Sequence, residues 1–148
     1  MIPDQLLNNY QAILESLPHR FPFLLIDRVT AVTDDSITGY KNITFNEPMF
    51  TGHFPEMPVY PGVYMIESSA QLAGIFLFSR DQDAKPMGYL AGVDSFVFKK
   101  TIHPGDQLQI QCKIIRKKMQ VFIFQVVGKV EDSIAFQGEL KIILSLRK

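Results

Sequence analysis

The chain has 148 residues, 47% hydrophobic and 20% charged, with 15 Lys+Arg set against 15 Asp+Glu. That length makes one domain, residues 1–148, with a sizeable core; the composition speaks against a disordered chain, and the balanced charge against wholesale nucleic-acid binding. No stretch reaches the roughly 20 apolar residues of a membrane span. "MIPDQLLNNY" lacks the charged start and apolar run of a secretory signal, and the single Cys112 excludes an internal disulfide, so a reducing cytoplasm is expected.

In chain order, Leu6, Tyr10, Ile13 and Leu17 recur at helical spacing behind Pro3, which predicts a short amphipathic helix at the domain edge. "FPFLLIDRVTAVT" and "SITGYKNITF" then read as strands separated by the turn signal "DDS". From Asn46 to Pro61 the chain carries Pro48, Pro55, Pro58 and Pro61, a long ordered loop. Phe54, Met57 and Tyr60, each before a proline, are biased toward extended backbone, so the loop has little freedom to lose and can hold His53 in a fixed place.

A helix follows, with Pro61 at its start and an end expected near Arg80, where "DQDAKP" stops it. Its apolar residues Val63, Met65, Ile66, Ala70, Leu72, Ala73 and Ile75 occupy the whole circumference, the mark of an enclosed helix. The remaining chain is strand. "MGYLAGVDSFVFKK" leads to "HPGD", whose Pro-Gly pair suits a type II turn. Leu108, Ile110, Cys112 and Ile114 alternate with Gln109, Gln111 and Lys113 as in a half-buried strand. "VFIFQVVGKV" is apolar on both faces, and Ile134, Phe136, Leu140, Ile142, Leu144 and Leu146 share one side of the last strand. Short turns imply antiparallel neighbours. The predicted fold is α+β: a six-stranded curved antiparallel sheet around one long central helix, with a short N-terminal helix. Strands apolar on both faces also suggest cover by a second subunit.

Glu67 lies among the apolar residues of that helix. A carboxyl removed from water is costly unless it is paired or protonated, and a carboxyl held protonated is a good general acid. Spacing alone is also compatible with a side chain that turns to solvent or satisfies a loop N–H. Gln71, one turn on, can orient the carboxyl. The N–H groups of Gly62 and Val63 have no intrahelical partner and stand at the positive end of the helix, where a carbonyl oxygen gaining negative charge would be stabilised. A glycine there leaves room for it to approach. Glu67 is five residues on, about 7.5 Å along the axis. An imidazole, an acid and an oxyanion site suit proton abstraction beside a thioester carbonyl and loss of a neighbouring hydroxyl. His53 and Glu67 lack a third ligand at metal-site spacing, and no cofactor motif is present. His19 and His103 read as structural.

"LPHRFPFLLIDRV", "NEPMFTGHFPEMPVYPGVYMIESSAQLAG", "YLAGVDSFVFKK" and "HPGDQL" closely resemble the FabZ-type (3R)-hydroxyacyl-[acyl-carrier-protein] dehydratases, from about Ile13 to the C-terminus. The resemblance implies the hot-dog fold, a homodimer or trimer of dimers with active sites at dimer interfaces, and acyl carrier protein as the bearer of the substrate. It implies His53 and Glu67 as the catalytic pair, Glu67 coming from the partner subunit, with the Gly62 N–H on the thioester carbonyl and Gln71 supporting the acid. The split of proton transfers between His53 and Glu67 stays open. Glu56 and Ser68 stand where the family usually has glycine and alanine, and Tyr60 and Tyr64 are bulkier than usual, which puts chain length and pathway in question. Lys99 and Lys100, and the run Arg116 to Lys118, are candidate docking residues for an acidic carrier. A hot-dog thioester hydrolase, a specialised dehydratase of another acyl pathway and a non-catalytic carrier-binding partner are the alternatives.

Overall fold

The computed structural model describes residues 4–80 and 87–145. After a 3-10 turn at Asp4–Leu6, helix α1 spans Tyr10–Ser16, strand β1 Arg28–Val32, β2 Ser36–Asn42, helix α2 Gly62–Phe78, β3 Met87–Phe98, β4 Gln107–Lys118, β5 Val121–Val130 and β6 Ser133–Ser145. The strands form one antiparallel sheet in the order β1-β2-β4-β5-β6-β3. Helix α2 touches β2, β4, β5, β6 and β3, so the sheet curves around it as expected.

The reason is burial. Every residue of α2 from Gln71 to Leu77 is buried, as are Ile110 and Cys112 on β4, Phe124 and Val126 on β5, and Leu140 on β6. Phe76 meets Phe124 edge to face at 6.1 Å. Each Leu, Ile, Val or Phe among them contributes about 1.5–3 kcal/mol when removed from water. The alternation read along β4 holds, with Leu108, Ile110 and Cys112 inside. The "HPGD" turn also forms: the Asp106 N–H reaches the His103 carbonyl at 3.1 Å, and Gly105 has φ +97°.

Several expectations need correcting. The first helix is shorter than its apolar pattern. Asn8 has φ 59°, Asn9 caps α1 through Ala12 N, and Tyr10 is exposed while Ile13 and Leu17 pack inward. The strand expected from Phe21 begins only at Arg28. Pro22 offers no N–H, and the Phe23 carbonyl and Leu25 N–H bond to the Gln71 side chain instead of to a neighbouring strand. Helix α2 stops at Phe78, with the Ser79 N–H on the Ile75 carbonyl, and its first turns are not enclosed: Val63 is exposed, and Ile66 and Glu67 are half-buried. Ile134 leaves the core face because the β5–β6 register shifts between Gly128 and Lys129. Pro3, "DQDAKP" and Leu146 lie outside the described residues.

Candidate active site

Two separate constructions carry the two acid–base side chains. The first is the loop between β2 and α2. Buried Lys41 anchors its start, neutralised by Glu47 and by Asp27 at 3.4 Å. A 3-10 turn at Pro48–Thr51 follows. The His53 N–H bonds to the Met49 carbonyl at 2.9 Å, the Val59 N–H to the His53 carbonyl at 3.1 Å, and the Tyr60 N–H to the Ile102 carbonyl at 2.8 Å. The His53 ring stacks on Phe54 with centroids 4.1 Å apart, and its Nδ1 lies 2.7 Å from the Val59 carbonyl. A carbonyl only accepts, so Nδ1 carries the hydrogen and Nε2 is left with its lone pair. That is the tautomer a general base needs.

The second construction is α2 with the segment from His19 to Leu25 laid across it. Gln71 Oε1 accepts from Leu25 N at 2.8 Å, and its Nε2 donates to the Phe23 carbonyl at 2.8 Å and to Glu67 Oε1 at 2.9 Å. With all three bonds made, the amide has one orientation. The i, i+4 spacing predicted this contact with Glu67. The carboxyl is less sealed than its apolar neighbours suggested, its side chain being 23% exposed. Sequence reasoning missed His19, whose Nε2 stands 3.5 Å from Glu67 Oε1. The available signal was the "LPHRFPF" motif itself. His103 is structural as expected, tying Pro58 O (3.0 Å) to Thr101 Oγ1 (2.9 Å).

At the start of α2 the N–H groups of Gly62 and Val63 have no acceptor among the described residues, the first backbone donors used being Tyr64 and Met65 to the Pro61 carbonyl. The absent side chain of Gly62 has a packing reason besides the one inferred from sequence. A Cβ there would sit 3.1 Å from the Phe98 ring of the same chain. Two departures noted in the sequence also explain each other. Tyr60, fully buried, places its hydroxyl 2.9 Å from Ser68 Oγ, which donates to the Tyr64 carbonyl. Burial holds the Tyr60 phenol far above its ordinary range, so it stays a donor. This pair links the histidine loop to the helix one residue past Glu67.

No hydrogen bond or ion pair joins His53 to Glu67 within the chain among the described residues. Exposed Lys99 and Lys100 follow β3 at the sheet end where α2 begins, their N–H groups on the Ala135 carbonyl. Arg116 to Lys118 lie at the other end, beside the β4–β5 turn. The two basic runs therefore cannot form one patch on one chain. A cleft of about 200 Å³ lies elsewhere, between Phe21, Asp27, Lys41 and Glu47.

A curved antiparallel sheet in this strand order around one helix is the hot-dog fold. The chain belongs to the family of the FabA-like domain, whose model matches residues 17–139. It is 41% identical over 136 residues to the 3-hydroxyacyl-[acyl-carrier-protein] dehydratase FabZ of Lactococcus lactis subsp. cremoris, covering 92% of this chain and 94% of that one. It is 43% identical over 129 residues to the protein of the same name from Streptococcus thermophilus, covering 87% and 92%. Among solved structures, the dehydratase heterocomplex ApeI:P from Xenorhabdus doucetiae matches with TM-score 0.77 and 19% identity over 91% of each chain. A hypothetical thioesterase with coenzyme A from Streptococcus pneumoniae matches with TM-score 0.64 and 11% identity, over 82% and 87%. At these identities the two structures speak to fold alone. No described helix is long and apolar enough to cross a membrane.

Proposed function

We propose that the protein removes water from a (3R)-3-hydroxyacyl chain carried on acyl carrier protein, leaving a trans-2-enoyl thioester, in fatty-acid biosynthesis. The observation that carries this reading is identity above 40% with FabZ dehydratases over nearly the full length of both chains. The thioester carbonyl accepts from the N–H groups of Gly62 and Val63. His53 Nε2 takes a proton from C2, and the oxygen gains charge where the helix N-terminus stabilises it. As the C2=C3 double bond forms, the C3–O bond breaks and the protonated Glu67 carboxyl gives its proton to the departing hydroxyl, which leaves as water. One proton on His53 and one missing from Glu67 are then restored through solvent.

The His53 of one chain is paired with Glu67 of a second. Two features support this: no hydrogen bond or ion pair joins the two side chains within a chain among the described residues, and β3 is an edge strand. It exposes Tyr89, Leu90, Val93, Val97 and Phe98, each 43–56% accessible, a surface that water disfavours and a second copy would cover. Sedimentation of wild type and Val93→Lys tests this. Wild type is expected to be a dimer or a trimer of dimers, and the variant a monomer without activity; an active monomer would sink the shared site. Lys99 and Lys100 receive the acidic carrier, because they stand at the helix-start end of the sheet. Lys99→Glu with Lys100→Glu should raise the carrier-substrate KM about tenfold at low salt and flatten its salt dependence. Unchanged kinetics would discard the docking assignment.

The deciding experiment is turnover of a 3-hydroxyacyl carrier thioester by wild type, with products identified by mass. Loss of one water supports the dehydratase reading. Release of free carrier thiol would mean hydrolysis instead.

A further inference from the structure

His19 belongs to no part of the mechanism above, yet its surroundings are those of a placed group. Arg20 clamps the main chain on either side of it, donating to the carbonyls of Leu14 (3.0 Å), Leu17 (2.7 Å) and His19 itself (2.7 Å). Downstream, the Phe23 N–H turns back to the Arg20 carbonyl at 2.8 Å, and Gln71 holds Phe23 and Leu25. The His19 backbone is therefore tied upstream to the end of α1 and downstream, through Gln71, to the helix that carries Glu67. Its ring packs beside Phe23, with centroids 6.1 Å apart, and its Nε2 edge comes 3.5 Å from Glu67 Oε1.

The other ring nitrogen identifies the tautomer. His19 Nδ1 is buried with no hydrogen-bond partner among the described residues. A hydrogen there would be a buried donor with no acceptor, and it would leave the Nε2 lone pair facing a carboxylate. A hydrogen on Nε2 removes both penalties and points a donor at Glu67. Gln71 Nε2 donates to the same Oε1. Two donors from different elements thus converge on one carboxyl oxygen, and Oε2 is the oxygen left to carry the proton.

We infer that His19 is a positioning residue, whose Nε2–H acts with Gln71 to turn Glu67 so that Oε2 faces the leaving hydroxyl. The inference rests on the dehydratase reading for its catalytic consequence, though not for the contact itself. Since His19 and Glu67 are in one chain, the unit moves as a whole into whichever site that chain completes.

Two substitutions separate a donor at Nε2 from bulk. The amide nitrogen of glutamine reaches the place of Nε2, while that of asparagine reaches the place of Nδ1. His19→Ala and His19→Asn should lower kcat by about tenfold to a hundredfold with KM little changed, the scale expected of a misaligned reacting group, and His19→Gln should recover most of it. Nitrogen chemical shifts of labelled imidazole give a readout without turnover: His19 should show the Nε2–H tautomer, and its signal should move in Glu67→Ala. A dominant Nδ1–H signature, no shift in Glu67→Ala, or asparagine rescuing as well as glutamine would overturn the inference. If wild type itself makes no enoyl product, the dehydratase reading fails, while the tautomer signal still decides whether His19 addresses Glu67.

Discussion

His53 and Glu67 are held in opposite ways. The histidine is set by its own neighbourhood: Met49, Val59 and Phe54 all lie within six residues of it, and the decisive bond goes to a main-chain carbonyl. The glutamate is set from a distance, by Gln71 on its own helix and by a segment more than 40 residues earlier in the chain that Gln71 stitches down. A base whose orientation comes from local backbone tolerates changes elsewhere in the fold. An acid oriented by side chains at long sequence separation depends on tertiary structure staying intact.

Substitutions can break this comparison at several points. The largest effect should come from His53→Ala and Glu67→Gln, each lowering kcat by about a thousandfold while leaving the circular dichroism spectrum unchanged, since general acid–base groups are worth that much. A variant within tenfold of wild type would remove that residue from the proton-transfer pair. Next comes Gln71→Leu, which strands the buried Leu25 N–H and Phe23 carbonyl. Urea unfolding should show a loss of about 2–4 kcal/mol. Activity should fall with it, while the His53 imidazole signals stay in place. If those signals move too, the two regions are not independently held.

The one side-chain hydrogen bond between them among the described residues, Tyr60 to Ser68, sharpens the comparison. Ser68→Ala leaves a fully buried phenol without its acceptor and should cost about 1–2 kcal/mol. Tyr60→Phe should cost less, because Ser68 keeps its bond to the Tyr64 carbonyl. The double variant should be close to Tyr60→Phe alone, a coupling of about 1–2 kcal/mol; strict additivity would deny the pair. Smallest is Gly62→Ala. The added methyl needs only a small swing of Phe98, which is 47% exposed, so stability should change by less than about 1 kcal/mol. A clear fall in kcat in that stable variant would tie the helix start to the reacting carbonyl.

The same contrast explains what could be read from the chain. The strands after α2 announce themselves through alternation and one Pro-Gly turn, which are local signals, and the sheet around one helix follows from an apolar helix that needs cover. The histidine loop was legible because prolines advertise it. The misread parts depend on long-range partners. Residues 21–27 look like strand, but Gln71 claims the Phe23 carbonyl and the Leu25 N–H, and no local pattern reveals a side chain 46 positions away. His19 was set aside as structural for the same reason: "LPHRFPF" names the residue without saying that Glu67 stands opposite. That a side chain at Gly62 would crowd Phe98 was equally invisible, because Phe98 is a neighbour only in the fold. Ile134 was placed on the core face because a register shift leaves no trace in the hydrophobic pattern.

Cys112 lies on β4 behind α2, with no accessible surface, its Sγ 3.4 Å from the Ser69 carbonyl, and burial raises its thiol far above the usual range. The chain thus carries a built-in clock for the opening of its core. A maleimide reaches this sulfur only when helix and sheet part, so labelling under native conditions counts those separations one molecule at a time. Because the sequence holds no other cysteine, the count is read without subtraction.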